Sequence, residues 1–480
     1  MKNYLYKIGT AVLFSSSLLF VGCDPEFEED EVTFSQGENL NLTKYIAVGN
    51  SLTAGFQDNG LYREGQLSSY PKIMSDQFAL VGGGDFIQPL FTEAQRNGSG
   101  YLELIEFTPT NPPSPITATV TTNRAIVGLG KDNNTPLFAR YADLDKIQNF
   151  GVPGIKLLDI KTPGYGLDNP LGFNPYFERI LPAALPQGAQ TYLQRVSGSQ
   201  HTFFSAWLGN NDVLGYATAG GFSGSISPTA TFSSLYGELI TAMTANGAEG
   251  IVATIPDVRS VPFFTTVGPT AKQLLTAVNV PAFYALTKNG ATRKLIMRDA
   301  IKDAQGGDVL LTLTSSAYLP LFGTVTGKYW RDLAASQNPS NPTAALSQYL
   351  AVFDIDTLQT FGTERNPVPS ALVLDTDEQN EINTATVAYN TAIKAQASTK
   401  NLAVFDAYEF FNGLQNGFNL SGVSYSPAFI TGNLFSLDGV HPTPRGYAII
   451  ANEMIKEINA KYGSKVPTTD VTKFRAVVLP

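Results

Sequence analysis

Tyr45-Ile46-Ala47-Val48-Gly49-Asn50-Ser51-Leu52-Thr53-Ala54-Gly55 is the stretch from which the fold is read. Its first four residues form a short apolar run of the kind that makes a buried strand. Gly49 ends that run, and Ser51 then stands at a strand-to-helix turn. Other runs behave alike. Thr202–Leu208 stops at Gly209, Ile251–Ile255 stops at Pro256-Asp257, and Leu402–Phe405 runs into Asp406. Between them lie helical patterns at Tyr70–Leu80, Asp377–Ala397 and Tyr447–Tyr462. Buried strands alternating with helices predict an α/β fold, and in open sheets of that class ligands bind beyond the carboxyl ends of the strands. No internal repeat, heptad run or low-complexity segment interrupts the pattern. The long stretches 85–145, 160–200, 215–235 and 258–375 are rich in Pro, Gly and aromatic residues. They read as insertions on one sheet rather than a second domain.

Outward from this core, the N-terminus reads as a targeting segment. Lys2 and Lys7 flank the start, and Ile8–Val21 is mostly apolar but short for a membrane span, as in a signal-peptide core. Phe20-Val21-Gly22-Cys23 resembles a bacterial lipobox, which implies cleavage before Cys23 and its lipidation. An ordinary signal peptide beside an incidental cysteine is the alternative. Cys23 is the one cysteine of the chain, so it has no intrachain disulfide partner. Asp24–Glu31 is strongly acidic and continues into a polar stretch, so residues 23–42 read as a solvated tether. An acidic run behind a lipidated cysteine resembles surface-export tags of some Gram-negative lipoproteins; a plain spacer fits equally well. The expected organisation is a signal peptide at 1–22, the tether, a main domain at 43–465 and a tail at 466–480. The expected location is the outer membrane of a Gram-negative bacterium, held by the lipid and exposed at the surface if the acidic run is an export tag.

With 43% hydrophobic and only 15% charged residues, a chain of 480 can bury a large core and is not of the disordered class. Its net charge is −9 and no Lys/Arg-rich block occurs, so nucleic acid is a poor partner. Two histidines, His201 and His441, leave few ligands for a metal site. The sequence contains no G-x-S-x-G elbow, dinucleotide-binding glycine fingerprint or complete P-loop.

Four sites remain that could carry chemistry. In Asp438-Gly439-Val440-His441-Pro442 a tight turn could return the carboxylate to the imidazole, holding Nδ1–H and leaving Nε2 as a base; a surface turn would look the same. Ser51 could expose a nucleophilic hydroxyl above the sheet, or simply cap a helix. In Gly209-Asn210-Asn211-Asp212 a side-chain amide after a strand could donate to an oxyanion, or cap the next helix. In Gly151-Val152-Pro153-Gly154 the second glycine could present a bare N–H, or make a turn. His201 begins a strand at the opposite end from these sites, which suits a structural role.

The order and spacing of the four sites resemble the blocks of SGNH/GDSL-type ester hydrolases: G-D-S-L, a glycine block, G-x-N-D and D-x-x-H. The resemblance implies a flavodoxin-like, three-layer α/β/α sandwich with a mainly parallel sheet and large insertions, notably a lid-like one at 258–375. It implies Ser51 as nucleophile, His441 as general base and Asp438 as the group orienting it. It also implies an oxyanion hole from the Ser51 N–H, the Gly154 N–H and the Asn211 amide, with no cofactor and no metal. Asn50 departs from the usual Asp but keeps its size and an acceptor. Most of the 258–375 region has no counterpart in the family pattern, and specificity is expected there.

The resulting expectation is an esterase or lipase-like enzyme acting on acyl or lipid-derived esters through an acyl-enzyme. A membrane tether and the many Phe, Tyr and Leu residues of the insertions favour that substrate. Trp207 and Trp330 are the chain's two tryptophans, few for stacking on sugars, and Trp207 falls within a strand. Val261-Pro262-Phe263-Phe264 and Tyr318-Leu319-Pro320-Leu321-Phe322 could line an acyl pocket or belong to ordinary packing. A carbohydrate O-acetyl esterase is the runner-up. A non-catalytic surface lipoprotein that keeps the fold as a binding module, or as an accessory to an outer-membrane protein partner, is the rival of another class.

Overall fold

Strand β1, Tyr45–Gly49, is buried along its whole length, as a central strand covered on both faces must be. The computed structural model describes residues 33–109, 113–182, 190–288, 290, 292–420 and 422–480. The signal segment, Cys23 and the acidic run Asp24–Glu31 lie outside them. Phe34–Pro480 form one compact unit.

Four further strands join β1 in a five-stranded sheet: β2 (Asn149–Gly151), β3 (Phe203–Trp207), β4 (Glu249–Ala253) and β5 (Ala403–Phe405). Their order is β5-β4-β3-β1-β2, and every neighbouring pair is parallel. Read from the other edge this is the 2-1-3-4-5 order of flavodoxin-like sheets, whose switch point lies between β1 and β3. The segments following β1 and β3 carry Ser51 and Asn211, so the topology sets the two beside that crevice.

Local chemistry explains the helices. The short helix α1, Ser51–Ala54, is capped by the Asn50 side chain, whose oxygen accepts from the Leu52 N–H at 3.1 Å. Gly55 closes it at φ +84°, where a Cβ would stand 2.3 Å from the Gly65 carbonyl oxygen. Then come α2 (Tyr70–Ala79), α3 (Asn211–Thr218), α4 (Thr229–Met243), α5 (Thr376–Thr399) and α6 (Pro444–Tyr462). A capping box between Asp375 and Glu378 starts α5, and Thr443 caps α6 ahead of Pro444. Helix α6 packs on α2, β4 and β5, whereas α5 packs on α4 and also reaches β4 and β5.

The main core gathers the sheet residues with Trp207, Tyr389, Tyr447 and Ile455. A second hydrophobic cluster lies within residues 267–373, around Phe283, Phe322, Trp330 and Phe361. There an antiparallel hairpin pairs Ala282–Thr287 with Thr292–Met297. The grouping Tyr318–Phe322 packs in that cluster, not at the end of the main sheet. Residues 466–480 fold back on the main unit: Val466 and Val471 join its core, and Arg475 pairs with Glu64 and donates to the Tyr62 hydroxyl. Among the described residues no helix is long and apolar enough to cross a membrane.

The strand and helix patterns of the sequence correspond to β1, β3, β4, β5, α2, α5 and α6, with ends displaced by a few residues. Edge strand β2 has no signal in the sequence, because Asn149-Phe150-Gly151 has neither the length nor the β-branched composition of a strand. It exists because it pairs with β1 and because the Asn149 side chain donates to the Thr53 carbonyl and to Gln88.

Candidate active site

Ser51 is the first residue of α1, so its N–H has no acceptor within the helix. Its hydroxyl lies 2.9 Å from His441 Nε2. On the other side of the ring, His441 Nδ1 lies 2.9 Å from Asp438 Oδ2. A proton on Nδ1 facing that carboxylate leaves the Nε2 lone pair toward the serine. The Phe56 ring packs against the imidazole at 4.7 Å between centroids.

The turn carrying Asp438 and His441 is built for this approach. Asp438 Oδ1 accepts the backbone N–H groups of Val440 and His441, both at 2.8 Å. Gly439 makes the reversal at φ +71°, and a Cβ there would stand 3.0 Å from the Phe263 nitrogen. The Phe263 N–H donates to the Gly439 carbonyl, and the Ser436 N–H to the His441 carbonyl. Burial by itself would raise the Asp438 carboxyl, but the histidine and the amide donors hold it below its ordinary value. It therefore stays an anion beside the ring.

Two residues that the sequence did not single out hold this turn from outside. The Asn59 N–H donates to Asp438 Oδ2 at 2.9 Å, and Asp58 Oδ1 accepts the Leu437 N–H at 3.0 Å. The Asp58 N–H donates in turn to the Ser436 hydroxyl. Asp58 and Asn59 both have positive φ, in a tight turn closed by reciprocal Gln57–Gly60 bonds. Asn59-Gly60 is a turn signal that would have located the bend, though not its distant partner.

Gly154 and Asn211 share an open groove with Asp438 and His441. Asn211 also borders a narrower cavity with Ser51 and His441. Gly154 has φ +83°, so its amide is presented from a conformation that favours glycine. The Asn211 side-chain amide donates one N–H to the Ile155 carbonyl at 2.9 Å, which ties it to the glycine turn and leaves its second N–H for another acceptor. Asp212, the next residue, has no sequence signal of its own and fixes the same turn. It accepts the Leu157 N–H at 2.7 Å and the Ser227 hydroxyl at 2.6 Å. Burial pushes its carboxyl up to about 6.

His201 sits at the amino end of β3, with Nε2 2.8 Å from the Met243 carbonyl oxygen. It is thus at the opposite end of the sheet from Ser51. Among the described residues no group of three or more His, Cys, Asp or Glu side chains is placed to hold a metal ion.

Residues 329–454 match the family model described as GDSL-like Lipase/Acylhydrolase. Over that segment the chain is similar to GDSL-like hydrolases. The match covers the Asp438–His441 turn, while Ser51, Gly154 and Asn211 fall outside it and are brought to this GDSL-like turn by the fold. A search of curated proteins found no match. One solved crystal structure aligns with 88% of the chain and 99% of its own, at 12% identity and a TM-score of 0.30, too low to bear on fold or function.

Proposed function

We propose that this GDSL-like hydrolase cleaves carboxylic esters through an acyl-enzyme on Ser51. The observation that carries the reading is the unbroken relay from Ser51 Oγ through His441 to Asp438. His441 Nε2 takes the Ser51 proton as Oγ bonds to the ester carbonyl carbon. The carbonyl oxygen becomes an oxyanion facing the N–H groups of Ser51 and Gly154 and the Asn211 amide. The tetrahedral intermediate then collapses, the alcohol oxygen leaves with the proton from His441, and the acyl group stays on Ser51. Water, losing a proton to His441, releases the acid and restores the serine. Asp438 keeps the imidazole in one tautomer throughout and stabilises its cationic form. The apolar residues beside Ser51 support an apolar acyl group as the part of the ester held there.

The 2-1-3-4-5 strand order and the two separate groups of helices, α2 with α6 and α4 with α5, support a three-layer α/β/α sandwich. The second hydrophobic cluster supports an insertion within 258–375, of which the part from 329 onward falls inside the family match. The lipobox-like Gly22-Cys23 supports a lipid anchor at Cys23, which would hold the domain at an outer membrane through the acidic tether.

A fluorophosphonate probe tests the central step, because it bonds only to an activated hydroxyl. Labelling should map to Ser51 and vanish in Ser51→Ala. Labelling at another serine would overturn the assignment.

A further inference from the structure

Two spaces of unequal size meet at the Ser51–His441 pair. The first, which Ser51 itself borders, is a cavity of about 40 Å³. Five of its apolar walls, Leu52, Val258, Val261, Phe411 and Phe435, are no more than 9% exposed and belong to the main core. The half-buried Leu214, Pro256 and Val440 add to the apolar lining, and Leu214 and Val440 also border the second space. Widening it on the side of those five means moving close-packed core side chains, so that part of the wall is stiff. The second space is an open groove of about 340 Å³, lined by Gly154 and, in common with the first, by His441 and Asn211, but not by Ser51. Asn59, Lys156 and Thr218 make part of it polar, and Phe263 adds an aromatic ring. Pro153, next to Gly154, borders a further hollow of about 680 Å³.

The chemistry decides which half of an ester enters which space. The acyl carbon ends bonded to Ser51, so the acyl chain belongs in the cavity that Ser51 borders. The alcohol leaves with the proton of His441, and the open groove beside His441 gives it an exit. A water molecule needs roughly 10–15 Å³ on this measure, and benzene was held by an engineered cavity of about 150 Å³ in another protein. A space of 40 Å³ therefore accepts only a few heavy atoms beyond the carbonyl.

From this we infer that the substrate is an ester of a short acyl group, about two to four carbons, on a bulky polar alcohol. The inference rests on the ester-hydrolase reading above and narrows it. Tether and aromatic content had suggested a molecule whose bulk lies in the acyl chain; the two spaces put the bulk on the alcohol.

The test uses the full-length protein in detergent with 4-nitrophenyl acetate, butyrate and octanoate, and with peracetylated glucose against methyl octanoate. The kcat/KM should fall about 50-fold or more from butyrate to octanoate. Peracetylated glucose should be cleaved at least about tenfold faster than methyl octanoate. Val261→Ala should raise the octanoate-to-acetate ratio about fivefold, and Phe411→Leu carries the same comparison if that variant does not fold. Ser51-dependent turnover of octanoate as fast as acetate, or preference for methyl octanoate, would overturn the short-acyl inference alone. No ester turnover and no fluorophosphonate labelling of Ser51 would overturn the hydrolase reading and the inference with it.

Discussion

The backbone N–H of Asn59 and the carboxylate of Asp438, 379 positions apart in the chain, meet at 2.9 Å. Asn59 donates to the same Oδ2 that receives His441 Nδ1. The loop just after α1 therefore orients the acid at the far end of the domain, and Ser51 and Asp438 are held to a common piece of backbone. Asp438 is an acceptor from every side, taking N–H groups from Asn59, Val440 and His441 as well as the ring.

Asp438→Asn should for that reason be far from conservative. An amide cannot accept from all these donors, and its own NH₂ would meet one of them. The kcat should drop by about 10³-fold or more, with a smaller change in KM and with the far-UV circular dichroism retained. Activity within tenfold of wild type would show that the carboxylate does not orient the base.

The two histidines should separate cleanly. His441→Ala removes the base that lies 2.9 Å from the Ser51 hydroxyl and should abolish ester turnover. His201→Gln keeps a donor toward the Met243 carbonyl and should leave kcat/KM within a few-fold. Steady-state kinetics on both variants checks this, and a large loss in His201→Gln would contradict the placement of the reaction at the β1/β3 end.

Asn211→Ala should lower kcat by about 10²–10³-fold and KM much less, because in the proposed mechanism the amide acts mainly on the oxyanion. A change confined to KM would assign Asn211 to ground-state binding. Its bond to the Ile155 carbonyl means that thermal unfolding should be recorded alongside.

Asp212 predicts a pH effect on stability. Burial raises its folded-state carboxyl to about 6, so the fold favours the neutral form. That contribution is complete below the ordinary carboxylate range near 4 and is lost as pH rises through about 6. Asp212→Asn, permanently neutral, lacks this dependence. The Tm of wild type minus that of the variant should therefore shrink between pH 4.5 and 7.5, by a few degrees. A difference that widens with pH would give Asp212 the opposite role, a carboxylate stabilised as an anion.

Cys23→Ala should abolish incorporation of labelled fatty acid and release the protein from the membrane fraction. Label remaining on the variant would remove Cys23 as the acyl acceptor. Protease added to whole cells would then report whether the wild-type domain faces outward.

The parts of the site legible in the sequence share one property: each lies at a point where local chemistry changes abruptly. Ser51 and Asn211 follow apolar runs that end in glycine, and Asp438 precedes His441 across a glycine turn. What the sequence did not reveal is held by contacts with no local signature. Asn59 contributes a backbone N–H, which any residue but proline possesses, and Asp212 contributes a carboxylate whose partners are 55 and 15 positions away. Strand β2 is three residues long and is a strand only because β1 is there to pair with it.

Sequence alone determined the α/β alternation, the turn at Asp438–His441 and the identity of the side chains available for chemistry, because periodicity, glycine turns and composition act over a few neighbouring residues. Tertiary structure decided that Ser51 and His441, 390 positions apart, stand 2.9 Å from one another, and that the space beside them is narrow on one side and wide on the other. Strand order and close packing of the core set those distances, and both arise from pairings between remote segments that no local pattern encodes.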